Sequence, residues 1–158
     1  MDTSAMAATD DPEFKLAMAR AVRLLTRREH SGQEIRQRLA DEYCPRVIEA
    51  VVQACLQHDW LNEERMLASA IRARVAKGLG PVRIAHELRL KGLNRDAIHQ
   101  MLASDKYDWF ALAREQARRK VPNQGALERS ARAKLLGFLQ RRGFSNEQCR
   151  YACQSDET

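Results

Sequence analysis

Among the residue types that most often act as nucleophiles, general bases or transition-metal ligands, this chain has four histidines and four cysteines. An imidazole or a thiolate catalyses a reaction or binds a metal only when a suitably spaced partner residue lies beside it. No histidine has a cysteine or a carboxylate pair at ligand spacing, and Glu29-His30 and His86-Glu87 are neighbours whose side chains point apart on a helix. We therefore expect no catalytic or metal-binding histidine.

The cysteines do not form paired CxxC motifs, and their apolar neighbours predict reduced thiols in the core at Cys44, Cys55, Cys149 and Cys153. The acidic pair Glu63-Glu64 is explained by a position in the first turn of a helix, where carboxylates favour the positive end of the dipole. The sequence contains no Walker loop, no glycine-rich dinucleotide motif and no HExxH helix. It therefore predicts a protein that is not an enzyme and requires no cofactor or metal.

Charge is the feature that points to a partner. The net charge is +6, distributed as −1 over residues 1–58, +3 over 59–107 and +4 over 108–158. Between Trp109 and Arg142, nine basic residues stand against Glu115 and Glu128. A surface of this kind attracts polyanions by releasing their counterions.

The candidate binding residues, here called the basic face, are Arg74, Lys77, Arg83, Arg89, Lys91, Arg114, Arg118, Arg119, Lys120, Arg129, Arg132, Lys134, Arg141 and Arg142. An alternative is that these cations are a solvated face whose members near helix C-termini favour the dipole. The surplus as a whole favours a polyanionic or acidic partner. Aromatic residues that could stack on bases are few, and Trp60, Trp109 and Phe110 are expected in the core.

These residues belong to helices whose pattern is clearest in the stretch 80–98. Pro81 suits the first position of a helix, and Ile84 and Leu88 share one face. Gly92 can adopt the left-handed conformation that ends a helix, and Asn94 caps the next one. The unit is helix, tight turn, helix.

The same spacing recurs on both sides. The first two apolar anchors of the central copy correspond to Leu135 and Leu139 downstream and to Ile35 and Leu39 upstream, with a period of about fifty residues. Capping boxes at Ser31 and Ser145 open two further helices. We predict an all-α protein of three tandem three-helix units stacked into an elongated molecule: a disordered segment over 1–11, then repeats over 12–58, 59–106 and 107–154. Leu16 and Leu56 are expected on the buried stripes of the first repeat.

The sequence contains no run of about eighteen uncharged apolar residues, the length that a membrane-spanning helix needs. Its acidic start lacks the features of a secretion signal. We expect a cytoplasmic protein that does not bind membranes.

With the repeats in view, the sequence resembles the RecX family, bacterial regulatory proteins that restrain the recombinase RecA. The resemblance covers about residues 14–153. It is carried by Leu24-Leu25-Thr26-Arg27-Arg28-Glu29-His30-Ser31, Trp60-Leu61-Asn62-Glu63-Glu64-Arg65, Gly80-Pro81-Val82-Arg83-Ile84 and Phe138-Leu139-Gln140-Arg141-Arg142-Gly143-Phe144. Met66-Leu67 stands where the family usually has an aromatic residue.

The resemblance implies an elongated, curved molecule that lies in the helical groove of the RecA–DNA filament, or caps its end, and inhibits the ATPase, strand exchange and filament extension. Its partners would be the RecA filament and single- and double-stranded DNA, and its role would be the regulation of recombination, repair and the SOS response. The alternative is a helix-turn-helix transcriptional regulator that reads base edges. The second helices begin with unlike residues and no dimer-forming seam is evident, so the filament reading is favoured and a monomer is expected.

Overall fold

The computed structural model describes residues 9–123 and 127–154. Within those ranges the chain forms nine helices and no strand, which confirms the all-α prediction. The helices are α1 (Pro12–Arg27), α2 (Gly32–Leu39), α3 (Pro45–Gln57), α4 (Glu63–Ala76), α5 (Pro81–Leu90), α6 (Arg95–Ala103), α7 (Trp109–Lys120), α8 (Arg129–Arg142) and α9 (Asn146–Ala152). Residues 1–8, which belong to the predicted disordered segment, and residues 124–126 lie outside the described residues.

The helices begin where the predicted capping residues stand. Ser31 and Ser145 form complete capping boxes with Glu34 and Gln148. The Asn94 side chain accepts a hydrogen bond of 3.0 Å from the backbone N–H of Ala97. Asn62 and Asp108 cap α4 and α7 in the same way. Each such cap satisfies a donor that the first turn cannot pair within the helix.

The apolar anchors of the repeats are buried in all three copies. The first anchors Ile35, Ile84 and Leu135 are at most 2 % exposed. The second anchors, Leu39, Leu88 and Leu139, are fully buried. This confirms that the spacing identifies equivalent core positions, because a shift of one residue would turn each anchor by about 100° around its helix.

The chain forms two compact units, Met1–Ser69 and Ala70–Thr158, with the division inside α4. In the first unit α1 packs on α2 and α3. Its core includes Ala17, Ile35, Val51 and Cys55. The backbone N–H of Gly32 donates to Glu63 Oε1 at 2.7 Å, so the carboxylate that begins α4 binds the first turn of α2. The predicted repeat boundaries at 58/59 and 106/107 fall in loops and stay a prediction.

In the second unit, small side chains allow α7 and α9 to approach closely. Ala113 and Ala117 on α7 and Cys149 and Ala152 on α9 are all fully buried. The Trp109 indole is 8 % exposed and donates to the carbonyl of Leu102 at 2.7 Å, which ties the start of α7 to the end of α6. Trp109 is therefore a core residue, as predicted.

The beginning of α5 meets the end of α8 within the second unit. The N–H of Gly80 donates to Arg142 O at 2.7 Å, and the N–H of Val82 donates to Gly143 O at 2.9 Å. Gly143 ends α8 with a φ of +94°, and a Cβ there would lie 2.1 Å from the Cβ of Arg83. This junction lets the unpaired amides of one helix start satisfy the unpaired carbonyls of one helix end.

Two leucines predicted to be buried are exposed instead. Leu16 (64 % exposed) lies off the stripe on which Ala17 and Ala21 face the core. Leu56 (39 %) stands at the edge of the α3 stripe, next to the buried Cys55. In both helices the neighbouring residue occupies the inward position, so these two predictions are wrong.

Two aromatic residues and one cysteine also differ from the prediction. Trp60 is 46 % exposed because it lies in the turn after α3, where helical periodicity does not apply, and it stacks on His58 with ring centroids 4.5 Å apart. Phe110 is 40 % exposed because Trp109 takes the inward position at the start of α7. Cys44 is exposed as the residue that precedes α3, whereas the other three cysteines are buried as predicted.

Candidate nucleic-acid interface

All residues of the basic face lie in the second unit, whereas five of the nine cations of the first unit form salt bridges. Salt bridges in the first unit join Arg20 to Glu42, Arg28 to Glu34, Arg36 to Glu49, Arg46 to Asp11, and Arg65 to Glu29. Local pairing of this kind cancels most of the field at a distance. The net positive charge therefore belongs to the second unit in structure as well as in sequence.

In the second repeat, two members of the basic face share one carboxylate. Arg74 Nε donates to Glu87 Oε2 at 2.8 Å and Arg83 Nε donates to Glu87 Oε1 at 3.2 Å. Partial burial acts to raise the pKa of Glu87, but the hydrogen bonds and charges of the two guanidinium groups outweigh it and lower that pKa. Arg74 therefore helps to hold α4 and α5 together, whereas the Arg83–Glu87 pair lies within α5.

Arg83 also takes part in the junction between α5 and α8. Its Nη1 donates to Arg141 O at 3.2 Å, and Arg142 Nη1 donates to the carbonyl of Lys77 at 2.9 Å. The exposed members of the second repeat are Lys77, Arg83, Arg89 and Lys91. The junction fixes the backbone of the second repeat next to the cations at the end of α8.

The third repeat carries a run of exposed cations at the end of α7. Arg118, Arg119 and Lys120 close this helix, where positive charge also favours the dipole. Arg119 pairs with Glu115 four residues earlier at 2.8 Å. Arg114 lies over the Tyr151 ring at 4.1 Å, which attaches its guanidinium to α9.

Helix α8 presents most of its surface to solvent. Only Leu135 and Leu139 of its fourteen residues are buried. Its exposed cations are Arg129, Arg132, Lys134 and Arg141, and Arg142 is half-buried. A helix this basic, held at its end by the junction with α5, offers a fixed array of positive charge.

A pocket of about 480 Å³ lies between the end of α7 and α8. Lys120, Lys134 and Arg141 stand at its walls, and Val121, Ala131, Ala133, Leu135, Gly137 and Phe138 give it an apolar lining. Lys120 Nζ and the Arg142 guanidinium each lie 5.1 Å from the centre of the Phe138 ring. The pocket thus combines an aromatic ring with positive charge.

Sequence reasoning did not identify Phe138 as a site residue. The signal is nevertheless present, because Lys134, Phe138 and Arg142 are spaced by four and share one side of α8. The spacing along α8 does not reveal Lys120, because the fold brings this residue from α7 to the same ring. The pocket therefore arises from the packing of two helices.

Three of the four cysteine thiols are buried beneath the protein surface. Burial raises the pKa of the Cys55, Cys149 and Cys153 thiols, which keeps them protonated and unreactive. Across the described ranges, no three His, Cys, Asp or Glu side chains gather as metal ligands. No helix in that same part of the chain has the length and apolarity to cross a bilayer.

Comparison with known families gives matches along nearly the whole described chain. Residues 17–55 match the model described as RecX, first three-helix domain. Residues 62–102 match the second three-helix domain and residues 106–153 the third. The three predicted repeats thus correspond to three recognised domains in tandem.

Two curated relatives and one solved structure also match most of the chain. The chain is 42 % identical over 138 residues to the regulatory protein RecX of Vibrio vulnificus, covering 87 % of this chain and 90 % of the relative. It is 37 % identical over 147 residues to that of Escherichia fergusonii, with 86 % and 89 % covered. The crystal structure of RecX from Lactobacillus salivarius superposes with a TM-score of 0.75 at 19 % identity, covering 88 % of this chain and 93 % of that one.

Proposed function

Because the chain belongs to the RecX family of regulatory proteins, we propose that it restrains the RecA recombinase by binding in the groove or at the end of the RecA–DNA filament. Bound there as a monomer in the cytoplasm, it inhibits the ATPase, strand exchange and filament extension, and it catalyses nothing itself. The identity to RecX proteins supports the family role, and the charge of the second unit supports a polyanionic partner.

The observation that carries this proposal is the array of exposed cations on α7 and α8. A filament groove offers DNA phosphates and acidic protein surface, and many separate charged contacts give fast, salt-sensitive association. The first unit, in which five of the eight arginines are paired, contributes less to this attraction. We therefore assign the main filament and DNA contacts to the third repeat, with Lys77, Arg89 and Lys91 extending them.

The alternative, a helix-turn-helix regulator that reads base edges, fits the geometry less well. A recognition helix contacts bases with its N-terminal residues. In the second repeat that helix start is occupied, since Gly80 and Val82 donate to the end of α8. In the first repeat the amide of Gly32 is taken by Glu63. These two helix starts are therefore not available to a DNA groove.

The experiment that tests the proposal measures RecA ATPase on single-stranded DNA while this protein is titrated in, at two salt concentrations. We expect inhibition at amounts well below the recombinase, weakening as salt rises. A parallel binding measurement with DNA duplexes of different sequence tests direct DNA binding and its sequence preference. Absence of inhibition, together with duplex binding that prefers certain sequences, would overturn the proposal and support the transcriptional regulator.

A further inference from the structure

The geometry points to the pocket between α7 and α8 as a site for one unpaired nucleotide of single-stranded DNA, its base against Phe138 and its phosphates on the surrounding cations. This inference rests on the proposed function, in which the protein meets the DNA of a filament. It goes further by assigning a pocket, a ligand class and the residues that contact each part of the ligand.

The first argument is the match of chemistry between the pocket and a nucleotide. A nucleotide is a flat, largely apolar ring joined to an anionic phosphate. The pocket offers the Phe138 ring among small apolar residues, with Lys120, Lys134 and Arg141 at the walls. Proteins that bind single strands combine an aromatic platform with a basic path for the backbone in this way.

The second argument is the charge balance at the pocket. None of the nine lining residues is acidic. Among the residues that the structure describes, Lys120, Lys134 and Arg141 form no salt bridge. Arg142 is not part of the lining, and its hydrogen bond to Lys77 O holds it beside the ring. Lys120 lies over the Phe138 ring, and the charges of Lys134 and Arg141 are left for a ligand.

The third argument is Gly137, a glycine inside a helix that lines the pocket. Glycine in a helix interior weakens the helix relative to alanine. No backbone crowds this position, since a Cβ there would meet only the end of the flexible Arg141 side chain, at 3.3 Å. The missing side chain is thus not required by packing, and its effect is to keep the pocket open.

The test measures binding of the full chain to a fluorescent oligothymidine by anisotropy, with variants matched in charge. Gly137→Leu fills the pocket, whereas Gly137→Ala adds one methyl group at the same position. Phe138→Leu keeps an apolar lining without the ring, and Phe110→Leu removes an exposed aromatic elsewhere in the same unit. All four variants keep the charge of the wild type, so differences among them report the pocket.

We expect Phe138→Leu to weaken binding roughly five- to hundredfold, the range for loss of one stacked base, and Gly137→Leu to cause a loss of similar size. Gly137→Ala and Phe110→Leu should bind like the wild type, with Gly137→Ala unfolding at a higher temperature. Photocrosslinking with an oligonucleotide that carries 5-iodouracil should label Phe138. Wild-type affinity in both Gly137→Leu and Phe138→Leu, or no binding by the wild type, would overturn the inference.

The same variants in the RecA ATPase assay separate this inference from the proposed function. Inhibition by the wild type, with unchanged oligonucleotide binding by Gly137→Leu, would refute the pocket and leave the proposed function standing. Oligonucleotide binding in the pocket without any inhibition of RecA would refute the proposed function alone. Loss of inhibition by Gly137→Leu with oligonucleotide affinity intact would show that the pocket receives a protein side chain, which also overturns the inference.

Discussion

Replacing Gly143 by alanine tests the junction between α5 and α8 most directly. Gly143 has a φ of +94°, a left-handed conformation that costs an alanine roughly 1–2 kcal/mol. Its new Cβ would also lie 2.1 Å from Arg83 Cβ and 2.7 Å from Arg83 N, so the two helices must separate. The backbone hydrogen bonds from Gly80 and Val82 are then lost or stretched.

Each of these two hydrogen bonds contributes about 0.5–1.5 kcal/mol, so separation of the helices adds roughly 1–3 kcal/mol to the backbone strain. We expect Gly143→Ala to lower the free energy of unfolding by about 2–5 kcal/mol. The matched control is Gly92→Ala. Gly92 also has a positive φ, +82°, but a Cβ there meets no atom within 4 Å, so this variant should lose only the strain of roughly 1–2 kcal/mol.

The assay is urea unfolding followed by tryptophan fluorescence in a Trp60→Phe background. The exposed Trp60 is thereby removed, and the buried Trp109 reports the second unit. The unfolding midpoint of Gly143→Ala should fall below that of Gly92→Ala by roughly 1 M urea. Both changes reduce the freedom of the unfolded chain equally, so this effect cancels in the comparison. Equal midpoints for the two variants would refute the claim that the junction stabilises the fold.

Three further predictions concern charge, capping and acid stability. Reversing the charges of residues 118–120 should weaken RecA inhibition more than an equal reversal at Arg20, Arg23 and Arg27 on α1, and equal loss at matched stability would contradict the charge argument. Ser145→Ala should lower the free energy of unfolding by about 1 kcal/mol in thermal unfolding, whereas no change would mean that the capping box is dispensable. The pKa of Glu87 is lower in the folded state than its ordinary value of 4.5. Its ion pairs with Arg74 and Arg83 therefore stabilise the fold at pH values above 4.5, and this stabilisation is lost as the pH falls below 4.5. Glu87→Gln should therefore reduce stability near neutral pH and flatten the acid limb of a pH–stability curve, and an unchanged acid limb would contradict the assignment.

The sequence was sufficient for features that depend on neighbours along the chain. Caps such as Ser31 and Asn94 and helix ends such as Gly92 act over three or four residues, so their spacing identified them. The anchors Ile35 and Ile84 followed from helical periodicity in the same way. Local rules of this kind hold wherever tertiary packing agrees with them.

Features that depend on contacts between distant residues were not predictable. The junction joins Gly80 to Arg142, and the pocket joins Lys120 to Phe138, and no local rule specifies either pair. Exposure was also misjudged where two apolar residues compete for one inward position, as with Trp109 and Phe110. The residues of the basic face could be listed from the sequence. Which of them form salt bridges could be known only from the structure.

The junction between α5 and α8 also has a consequence for synthesis of the chain on the ribosome. The backbone amides of Gly80 and Val82 cannot form their hydrogen bonds until Arg142 and Gly143, which carry the acceptor carbonyls, are translated about sixty residues later. Contacts this far apart in sequence form late, so the second repeat reaches its final hydrogen bonding only after α8 has emerged. A nascent chain that stalls before residue 143 leaves the start of α5 open to water and proteases, whereas the first unit already has every residue of its own core.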